Sequence, residues 1–311
     1  MVPKTTFGDD FKTFLGQPRQ EDLGTLSADF AVLGIPFGSP YHIHGVASGA
    51  CAAPAAIRAK SNRFGGMMDH HDFDFDDTLL GGNSTRIVDC GDVFADPRTL
   101  EDNKRRATAT VAAILQTGAV PIVLGGDDSI PAMVLGAYED YGPITVLQFD
   151  AHLDYRDEVH GIRDGYSSPM RRAAEMEWVE RIVHVGMRGV GSARPQDVAD
   201  SRAAGNAAIT ARQVRAEGVG CVLNQLPDGG NVFITIDCDG FDPTVMPGTS
   251  APVPGGLDYW EGADILTGAV KKCRVVGLDT AEHFPSLDLH GITSLALTRL
   301  ISTLIGAMAR R

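Results

Sequence analysis

Short apolar runs recur along this 311-residue chain, and nearly all lead through a turn into a segment of helical periodicity. The runs are Phe30 to Pro36 (FAVLGIP), Thr85 to Asp89 (TRIVD), Ala119 to Leu124 (AVPIVL), Thr145 to Phe149 (TVLQF), Arg181 to Gly186 (RIVHVG), Asn231 to Ile236 (NVFITI) and Arg274 to Asp279 (RVVGLD). Between them, Ala107, Val111, Ile114 and Leu115 recur at helical spacing, and Gly118 supplies a stop. Helices are also expected from Ala53–Pro54, with proline in the first turn, from Ile130, over Pro195 to Ala204, Ala211 to Glu217, Trp260 to Lys272, and Ile292 to Met308. Continuous apolar strands alternating with helices imply an α/β fold with a mostly parallel sheet covered on both faces. No linker, low-complexity tract or internal repeat divides the chain, so residues 1–311 are expected to form a single domain. The polar, Gly/Pro-punctuated residues 1–28 read as an N-terminal arm.

A parallel sheet collects the ends of its strands along one edge, where open α/β sheets bind ligands. The ends here are unusual. In DAHLD, the residues Asp150, His152 and Asp154 alternate, so an extended chain points all three to one side. Asp127 and Asp128 follow AVPIVLGG, Asp237 and Asp239 follow NVFITI, and Glu282 lies just past RVVGLD. Seven carboxylates and one imidazole are thereby aimed at a common region. So many like charges do not stay ionised together without cations. Oxygen-rich donors with one imidazole suit a divalent ion such as Mn²⁺. Two ions fit the ligand count better than one, and a water between them would become a hydroxide nucleophile near neutral pH.

Other polar clusters carry less. Asp69 to Asp77 (DHHDFDFDD) has the composition of a cation site, but a solvated loop or edge segment is the stronger reading. His42 and His44 lie in a long loop, better placed for substrate contact than for metal ligation. The net charge of −13 argues against nucleic acid or an anionic membrane as partner. Five scattered cysteines without a CxxC pair read as reduced thiols. With no signal peptide visible and no uninterrupted apolar run of ~18 residues, a cytoplasmic location is expected.

The motifs GGDDS, DAHLD and TIDCDGFDP resemble the three signatures of the ureohydrolases, the arginase and agmatinase superfamily, and the resemblance is closer to the agmatinase branch. It runs from GIPFG at Gly34 through the Glu282 region. It implies a three-layer α/β/α arginase-like fold with a mostly parallel eight-stranded sheet, assembled as a homotrimer or homohexamer, or with a paralogous subunit as a hetero-oligomer. It implies two divalent ions per chain, Mn²⁺ or alternatively Ni²⁺. One takes Asp128, Asp150, Asp154 and Asp237, and the other His152, Asp150, Asp237 and Asp239, with Asp150 and Asp237 bridging. Glu282 matches the family's acidic residue that orients a guanidinium. Two departures stand out. Asp128 occupies the place of a histidine ligand. The family's proton-shuttling histidine is matched either by His160, in a His-Gly pair, or by Asp164 on a gap-free count from Asp154. The expected activity is hydrolysis of a small cationic guanidino compound: agmatine, guanidinobutyrate, guanidine, or an N-alkyl guanidine or biguanide. The competing readings are a formimino or amidine C–N hydrolase, and a non-catalytic paralogue serving as a structural subunit. Retention of DAHLD and DCDGFD favours catalysis, because a dead subunit has no physical reason to keep mutually repelling carboxylates.

Overall fold

The computed structural model describes residues 5–39, 41 and 49–311; His42 and His44 lie outside them. The strands in chain order are β1 (Thr5–Thr6), β2 (Phe30–Gly34), β3 (His71–Asp72), β4 (Asp77–Thr78), β5 (Ile87–Val93), β6 (Val120–Leu124), β7 (Ile144–Phe149), β8 (Val179–Met187), β9 (Ala207–Thr210), β10 (Asn231–Asp237) and β11 (Arg274–Ala281). All but β3 and β4 join one nine-stranded sheet of order β1-β5-β2-β6-β11-β10-β7-β8-β9. Every pairing in it is parallel except β1 with β5. The strands β2, β7 and β10 are buried along nearly their whole length, which explains why they read as unbroken Val/Ile/Leu/Phe runs rather than alternating ones.

Helices cover both faces. On one side Ala53–Gly65, Tyr259–Lys272 and Ile292–Ala309 pack a core that includes Ile57, Phe149, Phe241, Leu266 and Leu297. On the other, Leu100–Gln116, Ile130–Leu135 and Pro169–Ala174 pack Leu33, Val111, Val134, Val146 and Phe233. This is the three-layer α/β/α arrangement that the sequence implied. A buried side chain of this kind is worth roughly 1.5–3 kcal/mol. The final helix has the length and apolar composition of a membrane span, yet two-thirds of that stretch (67%) is buried inside the fold. It is the central helix of one layer.

The sheet has nine strands where the resemblance implied eight, and two of the nine lie beyond the apolar runs. The strand β9 (AAIT) is too short to carry a periodic signal and stops at a capping box between Thr210 and Gln213. The strand β1 comes from the N-terminal arm, which is tied to the body: the Phe14 amide donates to Asp89 Oδ2 at 2.8 Å and the Leu15 amide to Ser61 Oγ at 2.8 Å. Asp89 is itself held by the buried Arg58 guanidinium at 2.8 and 3.0 Å. The acidic run at 69–77 folds into the β3–β4 hairpin. Asp72 and Asp74 pair there with Arg299 at 3.0 and 2.7 Å, which docks the hairpin to the final helix.

The chain order places a switch point at the centre. From β6 the sheet continues outward to β2 and β5, and from β7 to β8 and β9, with β11 and β10 between. The carboxyl ends of β6, β11, β10 and β7 are neighbours, and they are the strands that carry the acidic motifs.

Candidate metal and substrate site

At the end of β6 the backbone turns through Gly125 and Gly126. A Cβ on Gly125 would lie 2.2 Å from the Thr280 carbonyl oxygen, and one on Gly126 would lie 1.9 Å from that of Phe37. Only glycine permits this close approach of β6 to its neighbours. Asp127 turns away into the structure, accepting from the Ser129 amide at 3.0 Å, the Ser129 hydroxyl at 2.6 Å and the Ser39 amide at 3.3 Å. It braces the turn. Asp128 lines the pocket, with Oδ2 buried and unpartnered among the described residues.

The motif after β7 is shaped by its own backbone. Asp150 is fully buried; Oδ1 accepts from the His152 amide at 2.6 Å and Oδ2 from the Gln148 side chain at 2.6 Å. Gln148 is held in turn by a hydrogen bond with His184 Nδ1. At the end of β10, Asp237 Oδ1 accepts from the Asp239 amide at 2.8 Å, and Asp239 Oδ1 accepts from the Ala151 amide at 3.1 Å, tying the second and third motifs together. The Arg188 guanidinium donates to the carbonyls of Asp239, Gly240, Phe241 and Val253, which fixes the turn carrying Asp239. Beyond β11, Glu282 accepts from the Asp128 amide at 2.9 Å and the Ser250 hydroxyl at 3.2 Å. Glu282 and Asp154 both have positive φ, 57° and 41°. A non-glycine residue held in that region stores strain, and such strain clusters at functional sites.

These residues converge on a cavity of about 150 Å³ lined by Asp128, His152, Asp154, Asp237, Asp239 and Glu282, with Tyr166, Ser167, Ser192, Ser250 and Ala251 completing the wall. Donor atoms of Asp150, His152 and Asp239 lie within 4.8 Å of one another, and so do those of Asp128, Asp150 and Asp154. Asp150 belongs to both triads, so the two sites adjoin. Asp237 shares the cavity but stands outside either triad.

The electrostatics agree with this donor set. Burial, reinforced by the charges of their neighbours, pushes Asp128, Asp150 and Asp237 well above the ordinary carboxylate range. Burial raises Asp154 as well and takes Glu282 up to about 8. His152 is raised by its hydrogen bond to Asp239, Nδ1 to Oδ2 at 3.0 Å. Protein groups alone do not neutralise this cluster, and the unpartnered Oδ2 of Asp128 calls for a further partner. The residues fit hard divalent cations, with four carboxylates and one imidazole in the two triads and Asp237 beside them.

The structure does not bring His160 or Asp164 to this cavity. His160 is exposed on a turn closed by mutual hydrogen bonds of Val159 and Ile162, and its own φ is 53°. Asp164 pairs with Lys104 in a separate cleft beside Gly161 and Arg163. A residue count from Asp154 does not register this turn, which folds the segment back on itself. Tyr166, two residues further on, reaches the cavity instead. Tyr166, Ser167, Ser192 and Ser250 are cavity residues that sequence reasoning misses. Tyr166 and Ser167 belong to the Gly/Ser/Pro-rich stretch after DAHLD; Ser192 lies in the loop after β8 and Ser250 in the long loop after β10, where a lone serine carries no signal of its own.

A three-layer fold with a carboxylate-and-histidine cluster at the switch point of its parallel sheet defines an α/β protein with a candidate metal site at its ligand-binding edge. The particular family follows from comparison: the profile described as "Arginase family" matches residues 28–306, and the chain belongs to that family. It is 31% identical to the agmatinase of Pyrococcus horikoshii over 91% of this chain and 93% of that one. It is 30% identical to the proclavaminate amidinohydrolase of Streptomyces clavuligerus over 91% of this chain and 88% of that one. A solved structure of proclavaminate amidinohydrolase from the same organism superposes with a TM-score of 0.82 at 28% identity, covering 96% and 97% of the two chains. The protein is a hydrolase of the agmatinase and arginase family, acting on C–N bonds.

Proposed function

We propose that this protein is a binuclear metal-dependent amidinohydrolase that cleaves a small guanidino compound to urea and an amine. The observation that carries the reading is the sharing of Asp150 between two donor triads in a buried acidic cavity. Asp128, Asp150 and Asp154 would hold one ion and His152, Asp150 and Asp239 the other, and Asp237 would add a further carboxylate to the shared cavity. Mn²⁺ suits the oxygen-rich set best; Ni²⁺ is the alternative. When bound, the two cations supply an activated water and stabilise the charge that develops at the guanidinium carbon.

The chain's own groups do the rest. Glu282 is fixed by the Asp128 amide and the Ser250 hydroxyl, and each of its oxygens keeps a lone pair for the substrate. It orients the guanidinium plane through a charge-assisted hydrogen bond. The Gln148 side chain and the Ala151 and His152 amides set the orientation of Asp150 and Asp239 before any cation arrives. Arg188 holds the Asp239 turn without entering the cavity. Reduced thiols and the acidic surface suit a cytoplasmic enzyme, and a trimeric or hexameric assembly is proposed from the family resemblance.

Metal analysis after loading with Mn²⁺ or Ni²⁺ and removal of the excess tests the reading. It expects about two ions per chain, the number a paired site needs. A folded protein holding none would overturn it.

A further inference from the structure

The cavity has two unlike walls. One is acidic. The other combines small residues with Tyr166, whose ring stands against that of Tyr41 with centroids 4.6 Å apart and planes tilted by 58°. Tyr41 is locked in place: its hydroxyl accepts from the Ser167 amide at 2.8 Å, and a Cβ at position 165 would lie 2.3 Å from its ring, so only Gly165 lets it approach. Tyr166 is partly open, 39% exposed, while Tyr41 behind it is buried. An aromatic ring backed by a fixed second ring and sharing a cavity with carboxylates is an arrangement that can hold a cation between a π face and an anion.

The volume narrows the choice. At about 150 Å³ the cavity is well below the roughly 300–1,000 Å³ of ordinary ligand pockets, and it admits a small head group. Among the described residues lining it there is no lysine or arginine. A substituent that ends in a carboxylate and leaves the metal-ligand cluster therefore meets acids, serines and an aromatic ring, and finds no lysine or arginine to pair with.

Resting on the function proposed above, we propose that Tyr166, held by Tyr41, is the specificity wall of this cavity. It favours guanidinium compounds with an alkyl or cationic substituent over those bearing a carboxylate. The guanidinium lies between the Tyr166 face and Glu282, and the substituent leaves along the aromatic wall.

The test is rapid-mixing binding, before turnover, of three probes to the Mn²⁺-loaded protein: N-propylguanidinium, the neutral N-propylurea of the same shape, and 3-guanidinopropionate. The wild type is expected to bind N-propylguanidinium at least ~10-fold more tightly than 3-guanidinopropionate, the scale of an unpaired charge near acids. Tyr166→Leu keeps apolar bulk and loses the π face. It should weaken N-propylguanidinium by about 5-fold while N-propylurea changes less than ~2-fold. Tyr166→Phe should restore the preference for the cation. Equal binding of the cation by wild type and the Leu variant, a Phe variant as weak as the Leu one, or acid bound as well as alkyl would each overturn the proposal. Because no turnover is needed, a protein that shows the pattern but releases no urea would contradict the proposed function and keep the wall. An active enzyme without the pattern would contradict the wall alone.

Discussion

One buried carboxyl near the site makes a quantitative demand on stability. Asp279 lies in the middle of β11, fully buried, opposite Thr235 of β10, and neither of its oxygens has a well-formed hydrogen bond among the described residues. Burial pushes it up to about 8, and the nearby Thr235 hydroxyl offsets that only in part. In the unfolded chain an aspartate titrates near 3.9, and each unit of difference corresponds to ~1.36 kcal/mol. The folded state keeps its proton over a range in which the unfolded state has lost it. Stability is therefore highest below the unfolded value and falls as pH rises through the interval, until both states are ionised near pH 8. At pH 7 about three units separate the two states, so the burial costs on the order of 4 kcal/mol relative to pH 4. Asp279→Asn has the same shape and no proton to lose. In the metal-stripped protein, urea denaturation should show the variant more stable by up to about 4 kcal/mol at pH 7, with the gain shrinking toward zero near pH 4. In the metal-loaded protein the nearby cations favour the carboxylate and the gain should be smaller. A gain that does not vary with pH, or an Asn variant that is less stable at pH 8, would refute the reasoning.

The remaining predictions bear on the site. Asp128→Ala should lose one of two bound ions and Asp128→His should keep both, with preference shifted toward Ni²⁺ and Zn²⁺; metal analysis with competing ions decides it. Glu282→Gln should lower kcat/KM by at least ~10-fold at unchanged metal content, because a charge-assisted contact is worth roughly 1.5–3 kcal/mol. Gln148→Leu removes the hydrogen bond to Asp150 Oδ2 and should weaken metal binding by ~10–100-fold in equilibrium dialysis. His160→Ala and Asp164→Asn should leave kcat/KM within ~2-fold, since surface changes away from a site cost little; a large loss would return one of them to the proton-transfer role.

The parts of this molecule that the sequence makes legible are those where one physical constraint acts locally. The buried strands β2, β6, β7, β10 and β11 are continuous apolar runs because both faces are covered, and their ends carry the acids because the sheet edge is where a ligand can sit. The ligand candidates Asp128, Asp150, His152, Asp154, Asp237 and Asp239 are expected on that ground, and the structure gathers them around one cavity. The loop after DAHLD obeys no such periodicity. Its path depends on the turn at His160–Gly161, both at positive φ, and on the pull of Lys104 on Asp164, which comes from a helix far away in sequence. Tyr166 reaches the cavity only because Tyr41, another distant residue, packs over Gly165. Likewise the chain from His184 through Gln148 to Asp150 exists only once β7 and β8 pair in register. Contacts of this kind are set by tertiary packing, and no local pattern announces them.

The most direct test of the whole account is urea release. The purified protein, loaded separately with Mn²⁺ and Ni²⁺, would be incubated with guanidine, N-alkylguanidines, biguanides, agmatine and 4-guanidinobutyrate, and urea or the corresponding urea-type product measured over time. The account predicts metal-dependent release from at least one non-acidic guanidino compound, abolished by chelation and lowered in Glu282→Gln. Full metal occupancy with no release from any of them would contradict it and favour a structural subunit that keeps the site without the chemistry.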